Sequence, residues 1–213
     1  MNKKYLAGAV ALALLGSTSV MADDWTFRIA ATQVSPNDDS SAILGNDRVA
    51  VDSDLGLGFS LAYHIDEQWS VELLAALPFT HDISVSGGPL DGVNVGDTKH
   101  LPPTITMNYT WGDDELKYHV GLGINYTKFF DESTSDLTAA LGTPTSLDIQ
   151  ESTGLAMKFG LDYKMTDDWN FYASVYYLSI ESSAYLGVTG LGSVPIDVQI
   201  DPWVIQAGVS TSF

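Results

Sequence analysis

The chain has 213 residues and a formal charge of −18, with 27 acidic against 9 basic side chains and no cysteine. That balance argues against nucleic acid as a partner, and the absence of thiols removes disulfides as a source of stability. A length suited to one domain must therefore find its stability in a packed core or a closed sheet.

Lys3 and Lys4 precede a small and apolar run from Leu6 to Leu15, followed by Gly16, Ser17 and a Val20-Met21-Ala22 end. Charge, apolar run and small residues in that order make a secretory signal cut after Ala22. The run falls short of the ~20 residues that a membrane-spanning helix needs. The expected organisation is a signal peptide over 1–22 and one exported domain over 23–213. Losing the two lysines takes the formal charge from −18 to −20.

From Trp25 onward apolar residues fall at every second position, which is the period of a strand. Trp25, Phe27, Ile29 and Ala31 mark the first strand, and Leu55, Leu57, Phe59, Leu61 and Tyr63 the second. After Asp66-Glu67-Gln68 the third carries Trp69, Val71, Leu73, Ala75, Leu77 and Phe79. The fourth holds Ile105, Met107 and Tyr109; Gly112-Asp113-Asp114-Glu115 turns it into Leu116, Tyr118, Val120, Leu122, Ile124 and Tyr126. Leu155 to Tyr163 and Trp169 to Tyr177 flank Thr166-Asp167-Asp168, and Trp203, Ile205, Ala207, Val209, Thr211 and Phe213 close the set. Each strand reaches the ~9–11 residues needed to cross a bilayer when tilted.

Short connectors alternate with the long segments 34–53, 80–100, 129–152 and 182–196. The pattern predicts an all-β fold: an eight-stranded antiparallel transmembrane up-and-down β-barrel with short periplasmic turns, four long extracellular loops and both termini on the periplasmic side. Within the third loop, Ser135 to Gly142 has the serine or aspartate cap, apolar run and closing glycine of one or two helical turns. Acid is dense in the loops, with Asp38, Asp39, Asp47, Asp52 and Asp54 in one, and reads as a solvated face.

Trp25, Tyr63, Trp69, Trp111, Tyr163, Trp169 and Phe213 cluster beside the short turns and at the chain ends, as an aromatic girdle at a bilayer edge does. The apolar face is nearly free of charge, so lipid of the outer membrane is its expected partner. A soluble sandwich would turn that face inward and expose more lysine and glutamate. The opposite parity places Arg28, Glu72, Lys117, His119, Lys158 and Asp162 in the lumen, mostly toward the periplasmic end. Buried charges persist only when paired, so these form an expected ion-pair network that holds the barrel shut, with gating as the alternative role. Above it, Leu74, Pro78, Tyr172, Tyr176 and Leu178, with Ala76 and Ile180, suggest an apolar passage. Pro78, Pro102, Pro103 and Pro202 lack an N–H and weaken strand pairing near the outer rim, which suggests a sideways exit into the membrane.

The segments Pro78-Phe79-Thr80-His81-Asp82-Ile83, Lys99-His100-Leu101-Pro102-Pro103-Thr104 and Ile200-Asp201-Pro202-Trp203-Val204 resemble characteristic segments of the outer membrane protein W (OmpW) family. The likeness spans the whole exported part. It implies a bacterial outer-membrane barrel with a narrow, largely apolar passage for small hydrophobic molecules, a related branch taking up alkanes. His81, Asp82, His100, Pro102 and Pro103 are the family-motif residues. His81 with Asp82 and His100 also invites a hydrolase reading, but no serine motif or metal-type spacing accompanies them. No cofactor or metal is expected, and the C-terminal strand ending in Phe213 is the expected contact for the outer-membrane assembly machinery. Passive uptake of a small hydrophobic solute ranks first, a structural or receptor barrel second and an enzyme last.

Overall fold

A computed structural model describes residues 24–37, 48–86, 91–190 and 192–213. The expected signal peptide, and Asp38, Asp39 and Asp47, lie outside the described residues. In chain order the elements are β1 (Trp25–Ser35), β2 (Arg48–Val51), β3 (Asp54–His64), β4 (Trp69–Ala76), β5 (Phe79–Ser86), β6 (Asn94–Leu101) and β7 (Thr104–Gly112). There follow β8 (Leu116–Ser133), α1 (Ser135–Leu141), β9 (Thr145–Ile149), β10 (Ser152–Lys164), β11 (Asn170–Leu178), β12 (Glu181–Val188), β13 (Gly192–Gln199) and β14 (Trp203–Ser212).

Eight of these strands close a ring. β1 pairs with β3 and β14, β4 with β3 and β7, β8 with β7 and β10, and β11 with β10 and β14, all antiparallel. Closure satisfies the backbone of every wall strand without leaving an edge, which a bilayer demands. Trp25 and Phe213 exchange backbone hydrogen bonds of 3.1 and 2.9 Å, so the two ends of the barrel chain meet at the short-turn end.

Each short turn is held by one side chain. Asp66 Oδ1 accepts from the backbone N–H of Gln68 and Trp69, and Asp113 Oδ1 accepts from Glu115 and Leu116. Those two N–H groups hold the Asp113 carboxyl below the usual carboxylate range. In the third turn Thr166 Oγ1 accepts from Trp169 N–H. Short side chains that bond their own backbone favour turns over strands, which ends the ladders here.

The outward face is that of the predicted parity. Leu57, Leu73, Ile105, Met107, Leu122, Ile124, Leu155, Phe159 and Ile205 are all exposed, Leu122 and Leu155 at 70% and 73%. A belt of this extent suits lipid, not water. The aromatic girdle lies on the same face: Tyr63, Trp69, Trp111, Tyr163, Trp169 and Phe213 are exposed and Trp25 is half-buried. Its rings touch in series, Trp25 with Tyr63 at 4.9 Å, Trp69 with Tyr109 at 5.1 Å and Trp111 with Tyr118 at 5.9 Å.

The segments expected as long loops are largely strands. β5 and β6 form a hairpin that joins β2 on one side and the upper part of β8 on the other, while β9, β12 and β13 form a separate three-stranded sheet. Together these make a crown that continues the barrel past the lipid belt. Its inner face is apolar: Ile83, Val85, Val95, Phe129, Ile149, Ala184, Ile196 and Val198 are buried in one cluster with Leu74, Phe79 and Leu178 from below. α1 occupies the expected short helix and ends on Gly142 in the left-handed conformation, at φ 64°. Its N-cap is Thr134 with no side-chain cap bond, not the expected serine or aspartate; the Thr134 hydroxyl instead donates to the Thr145 carbonyl at 3.0 Å.

The third predicted strand ends three residues early. β4 stops at Ala76, and Leu77-Pro78 separates it from β5. Leu77 still faces out, but Phe79, expected outward, is buried at 1% exposure, and Pro78, expected in the passage, is exposed. The proline break shifts the register by one residue, and with period two that exchanges the faces. Leu122→Arg on the lipid belt is expected to lower folding stability in phospholipid bilayers by about 2–4 kcal/mol. Urea titration scored by heat-modifiable gel mobility checks this, and a shift no larger than that of an exposed turn substitution would contradict a lipid-facing belt.

Candidate functional site

The interior is filled in layers that follow from the inward parity of each strand. Nearest the short turns, Thr26 Oγ1 lies 2.8 Å from His64 Nε2 and 2.9 Å from Ser212 Oγ. One layer up, Arg28 of β1 spans two carboxylates, reaching Glu72 of β4 with Nη1 at 3.0 Å and Asp162 of β10 with Nη2 at 2.9 Å. Lys158 lies four residues before Asp162 on the same face of β10, and its Nζ contacts Glu72 Oε2 at 2.6 Å. Tyr176 donates its hydroxyl to Glu72 Oε1 at 2.7 Å, and Asn108 Nδ2 approaches Oε2 at 3.5 Å. Asp162 also accepts from Ser210 at 2.8 Å and lies 3.5 Å from His119 Nε2.

Two cations thus face two anions in a layer almost sealed from solvent, with Glu72 at 1% exposure. Buried ions persist under such conditions because the pairs are balanced and their remaining lone pairs are met by hydroxyl and amide donors. Tyrosine rings close the space above: Arg28 lies 4.9 Å from the centre of the Tyr172 ring, and Lys158 lies 5.4 Å from that of Tyr176. Glycines make the filling possible. A side chain at Gly160 would collide with the His119 ring, and one at Gly121 with Asn108.

Of the six residues expected in the network, Arg28, Glu72, Lys158, Asp162 and His119 come together and Lys117 does not. Lys117 is solvent-exposed immediately beyond the turn that ends at Leu116. Its parity is inward, but its height places the ammonium in the mouth, where water solvates it. Asn108, Tyr176 and Ser210 join the network without having been assigned to it. All three lie on inward parity, which was the available signal; their hydrogen-bonding roles needed the cross-barrel distances.

Above the polar layer, Leu74, Tyr176, Leu178, Val34, Val204 and Ile180 pack into the apolar cluster. The expected passage residues Leu74, Tyr176 and Leu178 are therefore buried floor, and Tyr172, fully buried beside the ion layer, donates its hydroxyl to Ser174 at 2.7 Å. The cavity itself lies higher, in the crown: about 50 Å³, lined among others by His81, Ile83, Val95, His100, Phe129, Ile149, Ile180 and Ile196. Of the interior residues expected near the passage, Ile180 lines it.

The two motif histidines meet in that wall. β5 and β6 pair with Phe79 opposite His100, and the imidazoles of His81 and His100 stack with centres 4.8 Å apart. His100 also packs near Phe129 at 6.1 Å. Burial, aided by the neighbouring His81, pushes His100 down to about 3, so its ring is neutral at physiological pH. Asp82 is exposed on the other face of β5, so it is not the carboxylate partner that the hydrolase reading required. His81 Nδ1 bonds the Asp52 carbonyl instead.

The prolines of the motif stand at a break in the wall. The β4–β7 ladder ends at Leu74 opposite Thr104, and the β5–β6 ladder begins above it at Phe79 opposite His100. Between those pairs, residues 75–78 face 101–103 with no backbone hydrogen bond across the seam among the described residues. Leu77 N–H turns back to Leu57 of β3, and Pro102 and Pro103 have no N–H to give. On the opposite wall of the same rim Asp201, at φ 35°, secures the Pro202 break by accepting from the backbone N–H of Ile180 at 2.9 Å.

Comparison with known proteins adds to this geometry. The model of the OmpW family matches residues 22–213. Outer membrane protein W of Vibrio cholerae serotype O1 is 40% identical over 211 residues, covering 96% of each chain. The crystal structure of the outer membrane protein OprG from Pseudomonas aeruginosa has a similar fold, with a TM-score of 0.82 and 36% identity over 90% of this chain and 96% of that one. A more distant relative, the dibenzothiophene metabolism operon protein PahQ of Pseudomonas aeruginosa, is 26% identical over 198 residues, 89% of this chain and 88% of that protein.

Glu72→Gln leaves Arg28 and Lys158 without their shared carboxylate and is expected to cost about 3–5 kcal/mol. Lys117→Ala, at the solvated mouth, is expected to stay within about 0.5 kcal/mol of the parent. Denaturant unfolding in detergent micelles compares them; equal effects of the two substitutions would contradict the network described.

Proposed function

The chain belongs to the OmpW family, and on that premise we propose that this outer-membrane barrel takes up small hydrophobic molecules passively and releases them sideways into the membrane. The observation that carries the reading is the stacking of three features along one wall. An apolar crown cavity lies above a floor of packed side chains, a balanced ion layer lies below, and the unbonded gap between the end of the β4–β7 ladder and the start of the β5–β6 ladder stands beside the floor.

The two directions out of the crown differ in what a solute must displace. Crossing to the periplasm would carry an apolar molecule through Glu72, Arg28, Lys158 and Asp162, whose ion pairs and hydrogen bonds it cannot replace. Moving sideways requires only that side chains such as Leu74 and Phe79 shift, since no backbone hydrogen bond joins 75–78 to 101–103. The solute then enters hydrocarbon, where the hydrophobic effect favours it. The relative named for a dibenzothiophene metabolism operon supports an apolar solute.

The same reading assigns supporting roles to both ends of the chain. Residues 1–22 act as the export signal. β14, paired with β1 and ending next to the exposed Phe213, is the strand presented to the assembly machinery before the barrel closes. Uptake needs no catalytic group in this account, and the His81–His100 pair serves the cavity wall.

Replacing both seam prolines, Pro102→Ala with Pro103→Ala, restores two N–H donors and is expected to tighten the gap above the β4–β7 ladder. Cells producing the parent protein are expected to transfer an apolar, environment-sensitive fluorophore into their membranes faster than cells without it, and the double variant is expected to lose most of that gain. Undiminished transfer by a double variant that still shows heat-modifiable mobility would contradict the sideways route.

A further inference from the structure

His81 is the polar group of the crown cavity whose bonding is incomplete. Its side chain is 3% exposed and lines the cavity. A carbonyl oxygen only accepts, so the hydrogen bond between Nδ1 and the Asp52 carbonyl places the proton on Nδ1. In the neutral ring that leaves Nε2 as a bare acceptor, and Nε2 is buried with no partner among the described residues.

The surrounding wall offers this lone pair nothing. Thr98 and Thr127 also line the cavity, but their hydroxyls point to the Lys99 carbonyl and, at 2.7 Å, to Asn125 Oδ1. His100 presents its ring face to His81, and Ile83, Val95 and Phe129 are hydrocarbon. A buried acceptor left unmet costs a protein stability, so a position like this calls for a donor. A water molecule is a poor one here, because a buried water is held by two to four polar contacts. The complementary ligand has an apolar body for the wall and one donor for Nε2. A carboxylate has no donor to offer when ionised, and a chain with 27 acidic against 9 basic residues does not attract one.

We propose that the crown cavity selects hydrophobic molecules that carry a hydroxyl group, alcohols or phenols, by accepting their O–H hydrogen bond on His81 Nε2. This rests on the uptake reading above and narrows its solute class from hydrocarbons in general to hydroxylated ones. The selectivity follows from the buried acceptor: a ligand with a donor satisfies it, whereas a matched ether or hydrocarbon leaves it unmet in a site that has also lost access to water.

The test compares 4-methylphenol with 4-methylanisole, which keeps the apolar body and lacks the donor. The full-length exported chain, refolded in lipid nanodiscs and labelled in its isoleucine methyls and histidine nitrogens, reports binding through Ile83, Ile180 and Ile196. Both ligands are expected to shift those methyls, the phenol with an apparent Kd about tenfold lower, and the phenol alone is expected to move the His81 Nε2 resonance. In His81→Phe the two ligands are expected to bind alike. Equal affinities in the parent protein, or a phenol preference that survives His81→Phe, would overturn the hydroxyl selectivity while leaving apolar uptake standing. Should His81→Phe not fold, the parent's Nε2 resonance decides: no movement at saturating phenol overturns the proposal. If neither ligand shifts the methyls, the apolar-solute reading falls together with it.

Discussion

The hold of Glu72 on four donors organises the interior. Arg28, Lys158, Asn108 and Tyr176 reach its two oxygens from β1, β10, β7 and β11, which ties opposite walls of the barrel to one point. An isolated carboxylate at that depth would be strongly unfavourable, and so would either cation without it. Their mutual neutralisation permits a dry layer across the lumen, and the dry layer in turn makes the floor above it apolar. Inward glycines such as Gly121 and Gly160 leave room for the side chains that complete the layer.

From that layer upward the wall changes character. Below it, the eight-stranded ladder is continuous; above it, the break at Leu77-Pro78 and the pair Pro102-Pro103 interrupt one seam, and β5 with β6 resumes pairing on a different register. The outer sheets are therefore not loose connectors but a second storey whose inner face is as apolar as the floor. A molecule received there meets a sealed layer beneath and an unbonded seam beside it. The difference between those two boundaries is the basis of the proposed sideways route.

Parity along β1, β3, β7, β8, β10, β11 and β14 was legible because it depends only on local alternation, and it located the lipid belt, the girdle and most of the ion layer. Depth was less legible. Lys117 has the right parity for the lumen but lies one residue past a turn, where alternation says nothing about solvent. Pro78 and Phe79 exchanged faces because a period-two argument carries through a strand only while its register is unbroken. The crown strands did alternate, as Phe79, His81, Ile83 and Val85 against Thr80, Asp82 and Ser84, yet histidine is not counted as apolar and the run read as loop. The stacking of His81 on His100 joins positions nineteen residues apart, and it exists only because β5 and β6 pair.

On the proposed route, apolar molecules enter the crown, stop at the Glu72 layer and leave through the gap above the β4–β7 ladder. The most direct measurement is photolabelling of the folded barrel in bilayers with a small apolar diazirine supplied from the extracellular side, followed by mapping of the modified residues. The account predicts labels on the crown cavity, on Phe79 and Leu74, and on seam residues such as Ala76 and Leu77. Labels on inward residues below the ion layer, at Thr26 or His64, would show passage through the lumen and contradict it.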